Sequence, residues 1–148
     1  MKKLFLFAIM LIAFSNFSFG KSGNLNVNGW SYVYDMADGK FNYQNALKIG
    51  DDGGVLSLLL SKGKEEIMIS SEKGILCEQV CKILLFVDNG GPEEFSGYYR
   101  DGIIIKPAND IFNRIMKANH VEATVTLAGG KSTTFTFDTS KNPLVLNN

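Results

Sequence analysis

The sequence contains few of the residues and motifs on which common enzyme mechanisms depend. Its 148 residues include one histidine and two cysteines. The serine-nucleophile pattern G-x-S-x-G and the nucleotide-binding patterns GxGxxG and GxxxxGK do not occur. One histidine and two cysteines do not complete the four-ligand shell of a zinc site without carboxylates. We therefore expect no cofactor, no metal and no catalytic centre.

Arginine is equally scarce, and positive charge is not clustered. The chain has 15 Lys and Arg and 15 Asp and Glu, for a formal net charge of +0, and arginine occurs only at Arg100 and Arg114. Proteins that bind nucleic acids carry a basic patch or stripe, so we expect no nucleic-acid partner. After the N-terminal segment no second apolar run is long enough to cross a bilayer, so we expect no membrane insertion of the mature chain.

The first 20 residues are typical of a secretory signal peptide. Two lysines precede an unbroken apolar run over residues 4–14, and Ser18 and Gly20 supply small residues for a cleavage site. The run is shorter than the ~20 apolar residues that a membrane-spanning helix needs. We therefore predict a cleaved leader at residues 1–20 and one exported domain at residues 21–148, located in the periplasm or outside the cell.

The two cysteines, Cys77 and Cys81, would both enter an oxidising compartment if the leader directs export. We therefore expect a disulfide bond between them that closes a tight loop before a core strand. A redox site of the thioredoxin type has two residues between its cysteines and a helix N-terminus beside the first one. Neither feature is visible in this sequence, so we interpret the bond as structural.

Short segments in which apolar and polar residues alternate follow one another along the chain. Residues 30–35 are an example, whereas residues 55–61 carry apolar side chains on both faces and are predicted to form a strand buried on both sides. Turn-forming residues lie between such segments at 51–54 and 89–92. One amphipathic stretch differs, because apolar residues recur at helical spacing over 111–118. The pattern predicts an all-β fold, mainly an antiparallel β-sandwich of about seven to nine strands, with one short packed α-helix.

The ends of the predicted elements are also indicated by residue type. Asn109 or Asp110 has the side-chain oxygen that commonly caps a helix N-terminus. We expect the two tails, residues 21–28 and 140–148, to be loosely held, because chain ends are commonly the least ordered parts of a domain.

The aromatic residues Trp30, Tyr32 and Tyr34 share one face of a predicted strand. We interpret that face as core or sheet surface, and the alternative is a platform for sugar binding.

His120 lies between the predicted helix and a strand. This position favours a role as a cation at the helix C-terminus, or as a polar boundary residue, over a catalytic triad with Asp110.

The segment that follows the Gly-Pro loop combines residue types that are common in protein interfaces. Tyr98, Tyr99 and Arg100 offer large contact areas and hydrogen-bond donors, and Glu94 precedes them in the same segment. We take these four residues as candidate binding residues. The alternative is a core strand with one tyrosine inside and with Arg100 paired to Glu93 or Glu94.

The order of features over residues 56–138 resembles a group of small exported bacterial proteins related to invasion-associated locus B and to the type VI secretion-associated periplasmic proteins. The matching pieces are Leu56-Ser57-Leu58, Leu76-Cys77, Cys81-Lys82-Ile83, residues 86–90, the helix at 111–118, Val121-Glu122-Ala123 and Phe135-Thr136-Phe137-Asp138. This resemblance implies a periplasmic β-sandwich with a Cys77–Cys81 bond and no catalytic centre. The chain departs from the group at Leu84-Leu85, where similar proteins often carry an arginine.

These observations together favour a binding function over a catalytic one. We expect a non-catalytic protein that recognises an envelope or secreted protein, as a toxin inhibitor of the immunity type or as a secretion accessory. One alternative is a small envelope hydrolase that uses paired carboxylates such as Glu94 with Asp101 or Asp110. Another alternative is a carrier that holds a small ligand between its sheets.

Overall fold

The computed structural model describes residues 20–106 and 108–146, so the predicted leader lies outside the described residues except for Gly20. Extended segments dominate, with a 3-10 helix at Asp51–Gly53 and an α-helix, α1, at Asn109–Lys117. The strands are β1 (Lys21–Val27), β2 (Trp30–Ala37), β3 (Lys40–Ile49), β4 (Gly54–Ser61), β5 (Lys64–Ser71), β6 (Cys81–Val87), β7 (Glu93–Tyr99), β8 (Ile103–Lys106), β9 (His120–Thr126) and β10 (Ser132–Asp138).

All these strands belong to one antiparallel sheet, in the order β1-β2-β3-β4-β5-β8-β7-β6-β9-β10. The all-β fold with one short helix is therefore confirmed. The predicted number of about seven to nine strands is too low, because the described residues form ten strands and one of them, β1, lies in a segment predicted to be a tail. The sheet has two halves, β1–β5 and β6–β10, which are joined where β5 pairs with β8. Only Met68–Ile104 and Ile69–Ile103 are paired at this junction. One hydrophobic core draws buried residues from both halves and from the helix.

Alternation of side chains decides which face of each strand enters the core. In β6, Cys81, Ile83 and Leu85 are buried, whereas Lys82 and Leu84 between them are exposed. Side chains on a strand point to opposite faces in turn, so this period-two pattern places one face against the core and the other toward solvent. This period-two alternation is also the pattern from which strands are predicted in the sequence.

Close contact between the two halves requires glycine at the connection of β3 to β4. A Cβ atom on Gly54 would collide with the ring of Phe135, 2.6 Å from its Cδ1, and one on Gly50 would lie 2.5 Å from the carbonyl oxygen of Thr136. Both partners belong to β10, at the far end of the sheet order. The absence of side chains at these positions therefore allows β10 to pack against the first half.

The helix packs through three residues at helical spacing, Ile111, Phe112 and Ile115, all of which are buried. Its N-cap position is Ala108, which has no side chain able to accept a hydrogen bond from the first turn. The prediction that Asn109 or Asp110 caps the helix is therefore wrong, because both lie inside the first turn. Packing on the sheet, rather than capping, stabilises this short helix.

Within the described residues both tails are held, so the expectation that they are loose is wrong for residues 21–28 and 140–146, while residues 147–148 lie outside the described residues. Residues 21–27 form β1, which pairs along its whole length with β2. At the other end, Leu144 is buried, and the backbone of Val145 is hydrogen-bonded to the side chain of Gln44. These contacts depend on residues distant in sequence, so local alternation does not indicate them.

The aromatic face of β2 belongs to the core, in agreement with the first of its two interpretations. Trp30 is fully buried and its indole N–H donates to the carbonyl oxygen of Ser140 at 3.3 Å. Tyr32 is also buried and donates its hydroxyl hydrogen to Gln44 at 2.8 Å. Burial raises the pKa of the Tyr32 phenol, and the nearby Tyr34 raises it further. This buried face is not available as a sugar platform.

Candidate functional site

The sheet opens between β5 and β8. Their ladder contains only two residue pairs, although β5 has 8 residues and β8 has 4. Among the described residues, no strand partner is therefore present on the facing edges for residues 64–67 of β5 and for Ile105 and Lys106 at the end of β8. A cavity of about 440 Å³ occupies this opening, and residues 62–66, 104–106 and 108–109 line it. We call it the β5–β8 cleft.

The β5–β8 cleft is rich in unpaired positive charge. Lys62, Lys64 and Lys106 line it, all three are exposed, and none forms an ion pair with another described residue. Glu66 also lines it but is already paired with Arg100, at 3.0 Å. The cleft can therefore accept negative charge from a ligand.

Glu65, which lines the β5–β8 cleft and the neighbouring cavity beside Gln44, has a carboxylate oxygen without a partner in the described part of the chain. The Oε2 atom of Glu65 is buried and, among the described residues, has no hydrogen-bond donor. Buried polar atoms in folded proteins are nearly always hydrogen-bonded, because an unsatisfied one keeps its full desolvation penalty. A ligand in the cleft that brings an N–H or O–H group would remove this penalty.

Two of the predicted binding residues border the β5–β8 cleft. The ammonium nitrogen of Lys106 lies 5.2 Å from the centre of the Tyr98 ring, within the range of a cation–π contact. Arg100 follows β7 and reaches Glu66 on β5, across the intervening β8. The alternative pairing of Arg100 with Glu93 or Glu94 is therefore wrong. The partner of Arg100 lies 34 residues away in sequence.

The end of β7 lies beside the disulfide loop. The bond between Cys77 and Cys81 is present, with 5.2 Å between the Cα atoms, which confirms that prediction. Cys81 is paired with Gly97, the residue before Tyr98. The exposed side chains here are Val80 (68% exposed), Tyr98 (36%) and Tyr99 (48%). Tyr98 and Tyr99 are consecutive in β7 and project to opposite faces of the strand, so these side chains and Arg100 surround the strand end. We call these four residues the β7-end surface. Tyr98, Tyr99 and Arg100 are among the candidate binding residues predicted from the sequence, and Val80 is not.

Glu94 stands apart from this surface, at the opposite end of β7. Its carboxylate pairs with Lys82 at 2.9 Å, and both side chains are exposed. The other carboxylate proposed to act with it, Asp101, follows the far end of the strand, in the turn to β8. The structure therefore does not bring Glu94 and Asp101 together.

The adjacent Glu93 is engaged by the helix. Arg114 donates two hydrogen bonds to its carboxylate, one of them from Nη1 at 2.9 Å. These bonds, with a smaller contribution from the charge of Arg114, lower the pKa of Glu93 below its ordinary value of 4.5. A general acid of the glycosidase type needs a raised pKa instead. Glu93 does not have the titration behaviour of such an acid.

The single histidine belongs to a strand and not to the helix end. His120 is the first residue of β9, and its Nε2 lies 2.9 Å from Oε1 of Glu122. Its backbone N–H donates to the carboxylate of Asp88 at 3.0 Å. The helix has ended at Lys117, so His120 is a polar boundary residue with Glu122 as its partner.

The β5–β8 cleft could not be predicted from the sequence pattern. Only the Lys-Gly-Lys turn at residues 62–64, which forms part of the cleft, is visible in the sequence. Within residues 20–106 and 108–146, no cluster of three metal-ligating side chains occurs, and no helix is long and apolar enough to cross a membrane. Comparison with protein-family models, curated proteins and solved structures finds no match to this chain.

Proposed function

We propose that this protein is a non-catalytic binding domain that recognises another protein through its β7-end surface. The observation that carries the proposal is the exposure of Val80, Tyr98 and Tyr99 beside Arg100. Tyrosine and arginine provide much of the binding energy in protein interfaces, because they combine large contact area with oriented donors.

The backbone of the β7-end surface is held by strand pairing and by the disulfide bond, which favours binding. Tyr98 and Tyr99 are paired with Ile104 and Ile103 of β8, whereas the pairing of β7 with β6 ends at Gly97. The loop that carries Val80 is closed by the Cys77–Cys81 bond. A surface that is already ordered loses little conformational entropy when a partner binds, so more of the contact energy appears as affinity.

The proposed partner is an envelope or secreted protein, and the proposed location is the periplasm. A leader-like segment at residues 1–20 and a disulfide bond support this location. The resemblance to proteins related to invasion-associated locus B and to type VI secretion-associated periplasmic proteins supports it further. In this setting the protein would act as a toxin inhibitor or as a secretion accessory.

The alternatives of a hydrolase and of a small-ligand carrier have less support. Glu94 is ion-paired and lies at the opposite end of β7 from Asp101, and the pKa of Glu93 is lowered. The β5–β8 cleft has charged lysines on its walls, which do not suit a carrier of neutral ligands. Both alternatives remain predictions that an activity screen and a ligand screen would test.

A crosslinked pull-down from periplasmic extract tests the proposal. The tagged mature chain should capture a stoichiometric partner, and the double variant Tyr99→Ala with Arg100→Ala should lose it with a nearly unchanged melting temperature. The matched control is Leu25→Ala on β1, since Leu25 is exposed to the same 48% as Tyr99. Undiminished capture by the double variant, or loss of capture by the control as well, would contradict the β7-end surface.

A further inference from the structure

We propose that the β5–β8 cleft binds an extended, acidic segment of the partner protein, which adds a short strand between β5 and β8. This inference rests on the proposed function, and it specifies the chemistry of the segment that is recognised. It explains three features that the β7-end surface leaves unused: unpaired strand edges, unpaired lysines and an unpaired carboxylate oxygen.

The backbone edges in the cleft match an extended peptide. Within the described part of the chain, residues 64–67 of β5 have no strand partner on the cleft side, and Ile105 and Lys106 of β8 lie across the opening. Four strand residues extend over roughly 13 Å, enough for a short segment to pair. Open strand edges present free N–H and C=O groups, and an added peptide strand satisfies them in several known recognition modes.

The positive charge of the lysines indicates that the bound segment carries acidic residues at its outward positions. Lys64 lies on the outer face of β5, opposite in direction to the buried Ile67, and Lys106 is exposed at the end of β8. Neither lysine forms an ion pair within the described part of the chain. Glutamate or aspartate at the outward positions of the segment would pair with both.

The interior of the cleft determines the other face of the segment. Ile67 and Ile105 point inward and are buried, so apolar side chains suit the inward positions. The segment should therefore alternate apolar and acidic residues. Its backbone N–H groups also supply a donor of the kind that Oε2 of Glu65 lacks. A small inorganic anion would contact the lysines but would leave the strand edges and Glu65 without partners.

Binding of a defined peptide tests this proposal. The probe is acetyl-Val-Glu-Val-Glu-Val-Glu-amide, titrated into the isotopically labelled protein and followed through backbone amide NMR shifts. The charge control is acetyl-Val-Lys-Val-Lys-Val-Lys-amide. The backbone control is the Val-Glu peptide with N-methylated valines, which keeps its charge but loses three donors. We expect shifts at Glu65, Glu66 and Lys106, and roughly tenfold weaker binding of both controls.

Charge reversal in the cleft provides the matching protein variants. The double variant Lys64→Glu with Lys106→Glu should bind the Val-Glu peptide roughly tenfold or more weakly than the wild type does, and it should bind the Val-Lys peptide more tightly. Lys131→Glu with Lys141→Glu is the control, since both lysines are exposed and lie outside the lining of the cleft. Equal binding of all three peptides, shifts outside the cleft, or no binding would overturn the proposal.

The cleft and the β7-end surface can fail separately. Partner capture that is lost with Tyr99→Ala and Arg100→Ala, but is retained with Lys64→Glu and Lys106→Glu, would keep the proposed function and overturn the added strand. If the Val-Glu peptide binds selectively but partner capture is unchanged by Tyr99→Ala with Arg100→Ala, the proposal for the cleft would stand and the role of the β7-end surface would be overturned.

Discussion

The side chain of Gln44 holds the backbone of Val145 through two hydrogen bonds. Its Nε2 donates to the carbonyl oxygen of Val145 at 2.7 Å, and its Oε1 accepts from the N–H of the same residue at 2.9 Å. The Oε1 atom also accepts the hydroxyl hydrogen of Tyr32 at 2.8 Å. Gln44 lies on β3 and is fully buried. The C-terminal segment is therefore attached to the sheet by hydrogen bonds to one side chain instead of by pairing with a strand.

Replacement of Gln44 should release the C-terminal segment. In Gln44→Leu the hydroxyl of Tyr32 and the backbone groups of Val145 lose their partners, so we expect a loss of about 3 kcal/mol in the free energy of unfolding. Urea denaturation measures this loss, and carboxypeptidase should digest the freed tail faster. Gln79→Leu is the control, because Gln79 is exposed in the disulfide loop. Equal stability of the two variants would contradict the role of Gln44.

Strands with strong alternation could be predicted from the sequence, and strands held by distant partners could not. β4 and β6 carry the period-two pattern in their own residues. β1 is mostly exposed and polar, and it exists because β2 offers it a complete edge. The docking of Val145 depends on one amide 101 residues away. Local periodicity contains no information about either partner.

The residues of the candidate site also divide into those that could be predicted from the sequence and those that depend on distant partners. Tyr98 and Tyr99 could be selected by residue type, because interfaces favour tyrosine. The β5–β8 cleft could not, since it forms where two strands that are not consecutive in sequence stop pairing. The pairing of Arg100 with Glu66 was missed for the same reason, as it spans the junction between the two halves of the sheet.

The ion pair between Glu93 and Arg114 should make the helix contact sensitive to acid. Hydrogen bonds from Arg114 lower the pKa of Glu93 below 4.5, so the stabilising effect is present above the ordinary pKa. It is lost as the pH falls through the lower value of the folded state. Carboxyl-detected NMR should show the pKa returning toward 4.5 in Arg114→Met. The control Arg100→Met should leave the pKa of Glu93 unchanged, and an unshifted pKa in Arg114→Met would refute the pairing.

Loss of the disulfide bond should weaken the fold without abolishing it. The closed loop is short, so Cys77→Ser removes about 2 kcal/mol of stability according to loop entropy. The neighbouring backbone keeps its own contacts, because Leu76 donates to Thr126 at 2.8 Å and Ile75 is bridged to Leu127. Urea denaturation of wild type with and without reductant should show the same difference. Free thiols in exported wild-type protein would contradict the bond.

The contact between Gly54 and Phe135 should be intolerant of a single added methyl group. In Gly54→Ala the new Cβ would lie 2.6 Å from Cδ1 of Phe135, so β10 must move away from β4. Overpacking of this kind costs about 3 kcal/mol at the upper end of its usual range. Gly91→Ala is the control, because no atom lies within 4 Å of the position that its methyl group would take. This control should change stability by less than about 0.5 kcal/mol.

A second substitution separates this steric cause from a general loss of stability. Phe135→Ala removes Cγ and Cδ1, two of the three atoms nearest to the new methyl group, at the expense of buried apolar surface. The loss of stability in the double variant Gly54→Ala with Phe135→Ala should therefore be smaller than the sum of the two single losses. A fully additive cycle in urea denaturation would show that Gly54 and Phe135 act independently. The glycine would then not be the element that lets the second half of the sheet close over the first.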